Sequence, residues 1–333
     1  MVETNPGVSV VLVTKNGAMR LPPTLDHLLK QQVDPAIPWE VIVVDNASDD
    51  KTKEVVLSSW NSSVHLRIID EPAKGVAFVR IRGIEEAEYE FIVFVDDDNW
   101  LANDWIQKIF TIFREHPDIG MTGGYNTGIF ETPVPGWIVP LLDNFAIGPQ
   151  GDATGDITDS RGYVWGAGMA FRKSVYIHLR KCGFIPLLTG RKGDKLTPGE
   201  DAELSLLFKA AGCRIWYFSD LQLQHYIPAN RMTWDYCITM YKGFGESTFI
   251  LDLYDLSMKN SKWPYLRLCL KAIEEFLYVV LMIFLNLYKP AKNRKYLLLF
   301  RSVRVKLTMV FNNISGYRAY YSQIGKLVKN LRV

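Results

Sequence analysis

Three consecutive carboxylates, Asp96-Asp97-Asp98, follow the apolar run Phe91-Ile92-Val93-Phe94-Val95. A run of that composition and length reads as a buried strand. Desolvated charges need partners, so the triplet belongs where the strand ends. In an open α/β sheet, that edge is where ligands bind. Asp96 and Asp98 have the spacing to share one hard cation, with substrate phosphate oxygens completing its shell. The plainer alternative is a solvated loop or a helix N-cap. A second acidic group, Glu200-Asp201 with Glu203, opens a helical pattern after Pro198-Gly199. The helix dipole favours carboxylates there, so simple capping competes with any chemical role. Arg80 has the reach to meet a carboxylate or a phosphate. A lone histidine such as His225 is by default structural or solvated.

The elements around these residues alternate. Val8–Val13, Trp39–Val44, Leu66–Ile69 and Phe91–Val95 read as strands. Helical spacing over Arg20–Gln32 and Gly75–Ala87 fills two of the gaps between them, and Asp45-Asn46-Ala47-Ser48-Asp49-Asp50 makes a turn that caps the next helix. That alternation argues a parallel sheet wound from βαβ units. Thr14 and Asn46 end neighbouring strands and can face one crevice; turn formation is the competing role for Asn46. Trp105–Arg114 reads as an amphipathic helix. Residues 120–162, rich in Gly, Pro, Asp and Thr, read as irregular lids or binding loops. Tyr163–Arg172 reads as a short strand with small residues at its centre. Tyr125, Trp137 and Trp165 offer flat surfaces to a sugar, with core packing as the alternative. Lys74-Gly75 is a candidate loop over a nucleotide, and the cations of Gly190–Lys195 are candidate phosphate contacts on a solvated loop. Cys213–Phe218 is a further strand, closely followed by His225.

The chain has 333 residues, 48% hydrophobic and 22% charged, which fits one large α/β domain with an appendage or two domains. The four cysteines are scattered and read as reduced, buried thiols of a cytoplasmic protein. The N-terminus lacks the charged-then-apolar pattern of a secretory signal. The net charge of +2 hides an asymmetry: from Lys289 onward there are 11 basic residues and no acidic ones, leaving 27 basic against 36 acidic before it. An acidic body argues against a nucleic-acid partner, and the basic tail suits an anionic surface.

Val11-Leu12-Val13-Thr14-Lys15-Asn16, Val43-Val44-Asp45-Asn46-Ala47-Ser48 and Val95-Asp96-Asp97-Asp98, in that order, resemble the nucleotide-sugar half of family 2 glycosyltransferases. These are inverting enzymes of the GT-A fold, and the likeness is to those that build bacterial surface polysaccharides. It continues through Gly168–Arg172, Gly199–Leu204, His225–Pro228 and Arg231–Trp234 and covers about residues 7–250. The resemblance implies a Rossmann-like, mostly parallel sheet flanked by helices, in a GT-A domain over 1–250. Within it, about 7–115 would bind nucleotide and about 116–250 the acceptor. It implies Mn²⁺ or Mg²⁺ on Asp98, supported by Asp96, with His225 closing over the metal or diphosphate. It places Thr14, Asn16, Asp45, Asn46, Arg80 and Asp97 on the donor, Asp97 near the ribose. Where many members have two Asp, this chain has Asp45-Asn46; Asn can accept and also donate. Trp165 would line the sugar and acceptor side, Glu200 and Glu203 would orient the acceptor or Asp201, and Arg231 would contact the diphosphate. Asp201 would be the general base.

The last part of the chain, 251–333, reads as a helical, basic extension. Phe276–Leu285 is an unbroken apolar run of 10 residues, half of the roughly 20 a spanning helix needs. It reads as an interfacial or re-entrant helix, with a buried C-terminal helix or a homodimer contact as alternatives. Apolar helix plus cationic tail, with Arg301, Arg304 and Lys306 on a Leu/Val/Phe-rich stretch, makes two membrane signals. The leading expectation is a metal-dependent inverting glycosyltransferase, peripheral on the inner face of the cell membrane. It would move a sugar from a nucleoside diphosphate donor to a glycan, lipid-linked in the favoured version. The competing classes are a nucleotidyltransferase of similar fold and a non-catalytic glycan- or membrane-binding protein. The first would carry a Gly-rich loop where this chain has Thr14–Arg20; the second would be favoured by loss of Asp98 or Asp201, and both are present.

Overall fold

The computed structural model describes residues 5–73, 75–192, 195–312 and 314–331. Four parallel strands form the first half: β1 (Asn5–Thr14), β2 (Trp39–Asp45), β3 (His65–Asp70) and β4 (Tyr89–Asp96). Helices α1 (Leu21–Leu29), α2 (Thr52–Ser59) and α3 (Val76–Glu86) connect them, giving the spatial order β3-β2-β1-β4. Val10, Val11, Val41, Ile42, Ile92 and Val93 are fully buried, as expected where helices cover both faces of a parallel sheet. Register pairs Thr14 with Asp45 and Val13 with Asp96. The carboxyl ends of β1, β2 and β4 therefore lie side by side, and the polar residues that stop each strand share one crevice.

Beyond β4 come β5 (Asn99–Leu101), α4 (Trp105–Glu115), β6 (Ile119–Phe130), β7 (Gly155–Asp156), β8 (Ala170–Arg172) and α5 (Lys173–Lys181). They are followed by β9 (Gly190–Lys192), β10 (Lys195–Thr197), α6 (Glu200–Ala210) and β11 (Arg214–Ile227). The sheet continues β4-β8-β6-β11-β5, with β8 antiparallel to both neighbours and β6 parallel to β11. Three sequence expectations change here. The stretch taken as irregular from residue 120 begins with the 12-residue strand β6. Its glycines are required by close packing rather than by turns: a Cβ on Gly124 would lie 2.1 Å from the Leu221 carbonyl oxygen. The expected strand over Tyr163–Arg172 shrinks to three residues, because Gly168 takes a left-handed φ of 74° that no strand accommodates. His225 lies inside a 14-residue β11 rather than after it.

The C-terminal helices are α7 (Trp234–Met258), α8 (Pro264–Leu285), α9 (Pro290–Asn312) and α10 (Ile314–Leu331). The expected boundary at residue 250 falls inside α7. Leu268, Val310, Tyr317 and Leu327 join the same core cluster as Phe171 of β8 and Phe208 of α6. Lys306, grouped above with the surface cations, is buried. Its ammonium meets Asp252 and Glu275 at 2.5 and 2.7 Å; a charge can be buried there because two carboxylates on α7 and α8 receive it. All four cysteines are free, Cys237 buried and the other three partly so. Among the described residues, no helix is long and apolar enough to cross a membrane.

Candidate active site

Each aspartate of the strand-end triplet meets its own arginine. The Arg20 guanidinium donates twice to Asp97, at 2.8 Å to each oxygen, and the Thr14 hydroxyl donates to it at 2.7 Å. Gly17 makes room for this: a Cβ there would fall 2.0 Å from the Thr14 hydroxyl. Asp98 is 3% exposed. It faces Arg231 at 3.0 Å, the Asn99 amide at 3.0 Å and His225 Nε2 at 3.6 Å. Burial opposes its charge, but Arg231 and His225 override it and hold the carboxyl below the usual carboxylate range. Asp96 turns to Arg80 at 3.2 Å.

The neighbouring loops lock together. Asn16, at φ 50°, donates its backbone N–H to Ser48 Oγ at 2.8 Å and accepts from the Asp49 N–H at 3.0 Å. Asp45 accepts from the Ser48 N–H at 3.1 Å and from its hydroxyl. Asn46 donates to the carbonyls of Glu71 and Ala73, both at 2.8 Å, and accepts from the Gly75 N–H at 3.3 Å. Both of its amide donors are thus spent on the loop before α3, and its oxygen accepts from the same loop. Lys74 of that loop lies outside the described residues, as do Gly193 and Asp194 of the β9–β10 hairpin.

The second acidic cluster sits at the start of α6, after Gly199 at φ 111°. One Asp201 oxygen accepts from the Gly166 N–H at 3.0 Å and the other from the Ala202 N–H at 2.8 Å. Glu200 meets Arg80 at 3.2 Å. Burial, then the adjacent Asp201 charge, pushes the Glu200 carboxyl up to about 7. Arg80 therefore ties the two clusters together, with its guanidinium 4.9 Å from the centre of the Phe94 ring. At Gly166 a Cβ would meet the Arg80 guanidinium at 2.6 Å, so a larger residue there would displace that side chain. Glu203, expected to help orient Asp201 or the acceptor, points away from it. Its carboxylate takes the N–H groups of Leu187 and Leu188, both at 3.0 Å, and the Tyr254 hydroxyl at 2.8 Å.

Trp165, expected on the acceptor side, is buried, its backbone N–H donating to Gln150 Oε1 at 2.7 Å. The Arg161 guanidinium stands 4.5 Å from the ring centres of both Trp165 and Tyr163 and pairs with Asp143 at 3.3 Å. Arg294 of α9 lies 5.5 and 5.9 Å from the rings of Trp137 and Trp234. Sequence reading missed Arg20, Asn99, Gln150, Arg161 and Arg294. For Arg20 a signal existed: a cation on the loop that follows β1, at the same edge of the sheet as the triplet.

Among the described residues, no group of three or more His, Cys, Asp or Glu side chains converges to hold a metal ion. Of the three expected ligands, Asp98 and His225 stand together, while Asp96 is engaged by Arg80. The His225 Nδ1 is buried without a hydrogen-bond partner, so its ring is oriented from the Asp98 side. Asp98 and His225 are two donors of the kind a divalent cation takes, with Arg231 already on Asp98 at 3.0 Å.

Residues 9–180 match the family model for glycosyl transferase family 2. The chain is 21% identical over 251 residues to the glucosyl-dolichyl phosphate glucuronosyltransferase of Haloferax volcanii, spanning 73% of this chain and 76% of that protein. It is 30% identical over 149 residues to an Escherichia coli enzyme, UDP-Glc:alpha-D-GlcNAc-diphosphoundecaprenol beta-1,3-glucosyltransferase, spanning 42% of this chain and 57% of that one. The structure is similar to that of S. aureus TarS residues 1–349 in complex with UDP-GlcNAc, with a TM-score of 0.54, 17% identity and 91% of each chain covered. The fold is therefore GT-A. The family match holds the triplet, its strands and Arg80, and covers more than half of the chain: this protein belongs to glycosyl transferase family 2 and is a glycosyltransferase.

Proposed function

We propose that the protein transfers a sugar from a nucleoside diphosphate donor to a lipid-linked glycan, with inversion at the anomeric carbon and Asp201 as general base. One observation carries the reading: Arg80 bridges Asp96 of the strand-end triplet and Glu200 beside Asp201, so a donor at the sheet edge and a base at the helix start share one crevice. The acceptor hydroxyl gives its proton to Asp201 as its oxygen bonds to the anomeric carbon. The bond from that carbon to the diphosphate oxygen breaks, and the electron pair leaves with the nucleotide. The departing group occupies one face, so a single displacement inverts the centre.

Gly166 and Ala202 fix Asp201 through their N–H groups. Arg231 supplies positive charge where the diphosphate departs. Asp98 and His225, with Asp96 in support, would hold Mn²⁺ or Mg²⁺, which when bound neutralises the leaving diphosphate. UDP is the favoured nucleotide, because the E. coli relative is named for UDP-Glc and the TarS structure is a complex with UDP-GlcNAc. The lipid-linked acceptor rests on the dolichyl and undecaprenol relatives. The all-basic stretch from Lys289 supports a peripheral position on the inner face of a membrane.

Calorimetry with UDP, GDP and dTDP, each with and without Mn²⁺, tests the donor side. One tight, metal-dependent nucleotide, retained by Asp201→Asn while transfer is lost, is the expected result. Absence of binding to all three by the folded protein would remove the proposal.

A further inference from the structure

The outward side of α8 carries an apolar stripe. Leu266, Leu270, Ile273, Leu277, Leu281 and Phe284 follow one another at three- and four-residue spacing, and all six are exposed. The opposite side of the helix is occupied by the protein itself: Leu268, Ala272 and Val279 are buried, and the Tyr265 hydroxyl donates to the Val310 carbonyl at 3.1 Å. The stripe runs into the α8–α9 turn, where Leu287 is exposed and Tyr288 is 97% exposed. A contiguous apolar face of this length on a protein surface marks an interaction site.

We propose that this face rests on an anionic lipid surface, with the Phe284–Tyr288 turn as its deepest point, and that this docking presents the acceptor crevice to the bilayer. The charges around the stripe choose lipid over a second copy of the chain. Within 262–292, Lys271 is paired to Asp252 and Glu275 to Lys306. The charges left over are Lys262, Arg267, Lys289 and Lys292 against Glu274 alone. Two copies meeting along the stripe would press like charges together. An anionic headgroup layer matches them, and apolar insertion with neighbouring cations is what holds a peripheral protein there.

The face is also close to the chemistry. Arg294, in the first turns of α9, stacks on Trp137 and Trp234. Trp234 opens α7 just after Arg231, whose guanidinium holds Asp98. The inserted turn therefore adjoins the rim of the crevice, where a glycan on a lipid anchor would arrive. This last step rests on the transferase reading; the docking itself does not.

The test uses the full chain and vesicles of phosphatidylcholine alone or with 30% phosphatidylglycerol. Wild type is expected to sediment with the anionic vesicles and weakly with the neutral ones. The triple variant Leu270→Glu, Leu277→Glu, Phe284→Glu alters exposed side chains only; circular dichroism and the melting temperature check its fold. It should bind anionic vesicles at least tenfold more weakly, with Mn²⁺–UDP affinity unchanged. Lys289→Glu with Lys292→Glu should reduce the preference for phosphatidylglycerol and leave residual apolar binding. Equal vesicle binding by wild type and the triple variant would overturn the proposal. So would a wild-type dimer, seen by light scattering, that the triple substitution turns into monomers while neither form binds vesicles. Absence of nucleotide binding with vesicle binding intact would remove the transferase reading and leave the docking standing.

Discussion

Asp96, Asp97 and Asp98 each face an arginine: Arg80, Arg20 and Arg231. Among the described residues, the other acidic group, Glu200, Asp201 and Glu203, has one arginine within ion-pair reach, Arg80 on Glu200. The difference sets the chemistry of each. At Asp98 the charge stays fixed, the carboxyl held below the ordinary range by Arg231 and His225 against its burial; at Asp97 burial outweighs the Arg20 pair and the carboxyl is raised. Where carboxylates outnumber cations and are buried, protons are held near neutrality: Glu200 and Glu203 are both pushed up to about 7, chiefly by burial. The fixed charge of Asp98 suits a cation, and a cation is what a diphosphate would need there. A helix start where a buried carboxyl such as Glu200 is pushed up to about 7 suits the exchange of a proton with a hydroxyl.

The sharpest way to break this division is Asp201→Asn. A lost general base costs about 10²- to 10⁴-fold in kcat, and nucleotide affinity should not move. Equal loss in both would place Asp201 with the triplet instead. Next is Arg80→Met, which removes the cation shared by the clusters. Arg80 is buried, and leaving its partners uncompensated should cost about 3–5 kcal/mol of stability, read as a lower urea midpoint. Glu200→Gln in the same background should recover part of it by removing one stranded charge. Asp98→Ala should weaken Mn²⁺-dependent nucleotide binding by about 100-fold, the scale of truncating one partner of a buried charge pair. Weak binding without Mn²⁺ should change little.

The carboxylates of both clusters were legible in the sequence, but their partners were not. Parallel strands buried on both faces are written as unbroken β-branched runs, and the residue that stops such a run must sit at the sheet edge. Hence β1, β2 and β4 and the triplet could be read directly. Arg20 reaches Asp97 across 77 residues and Arg80 reaches Glu200 across 120; such pairings depend on how loops close. The strand β6 was hidden because its glycines, placed there by close neighbours such as Leu221, imitate a loop. Lys306 read as a surface cation because nothing local to α9 announces Asp252 and Glu275 across from it.

Glu203 gives the smallest effect and the cleanest separation of structure from catalysis. It belongs to the acidic cluster by sequence, yet its carboxylate faces the N–H groups of Leu187 and Leu188 and the Tyr254 hydroxyl. Burial raises it from an ordinary value of 4.5 to about 7. Between those values the folded state holds a proton that the unfolded chain releases, so stability falls as pH rises through the window. The loss is on the order of 3 kcal/mol, complete above about pH 7 and absent below about pH 4.5. Glu203→Gln keeps an acceptor for the two N–H groups and has nothing to ionise. Urea midpoints measured from pH 4.5 to 8 should slope downward for the wild type more steeply than for the variant, with kcat at pH 8 little changed. A variant that loses kcat while the two stability curves remain parallel would return Glu203 to the catalytic cluster.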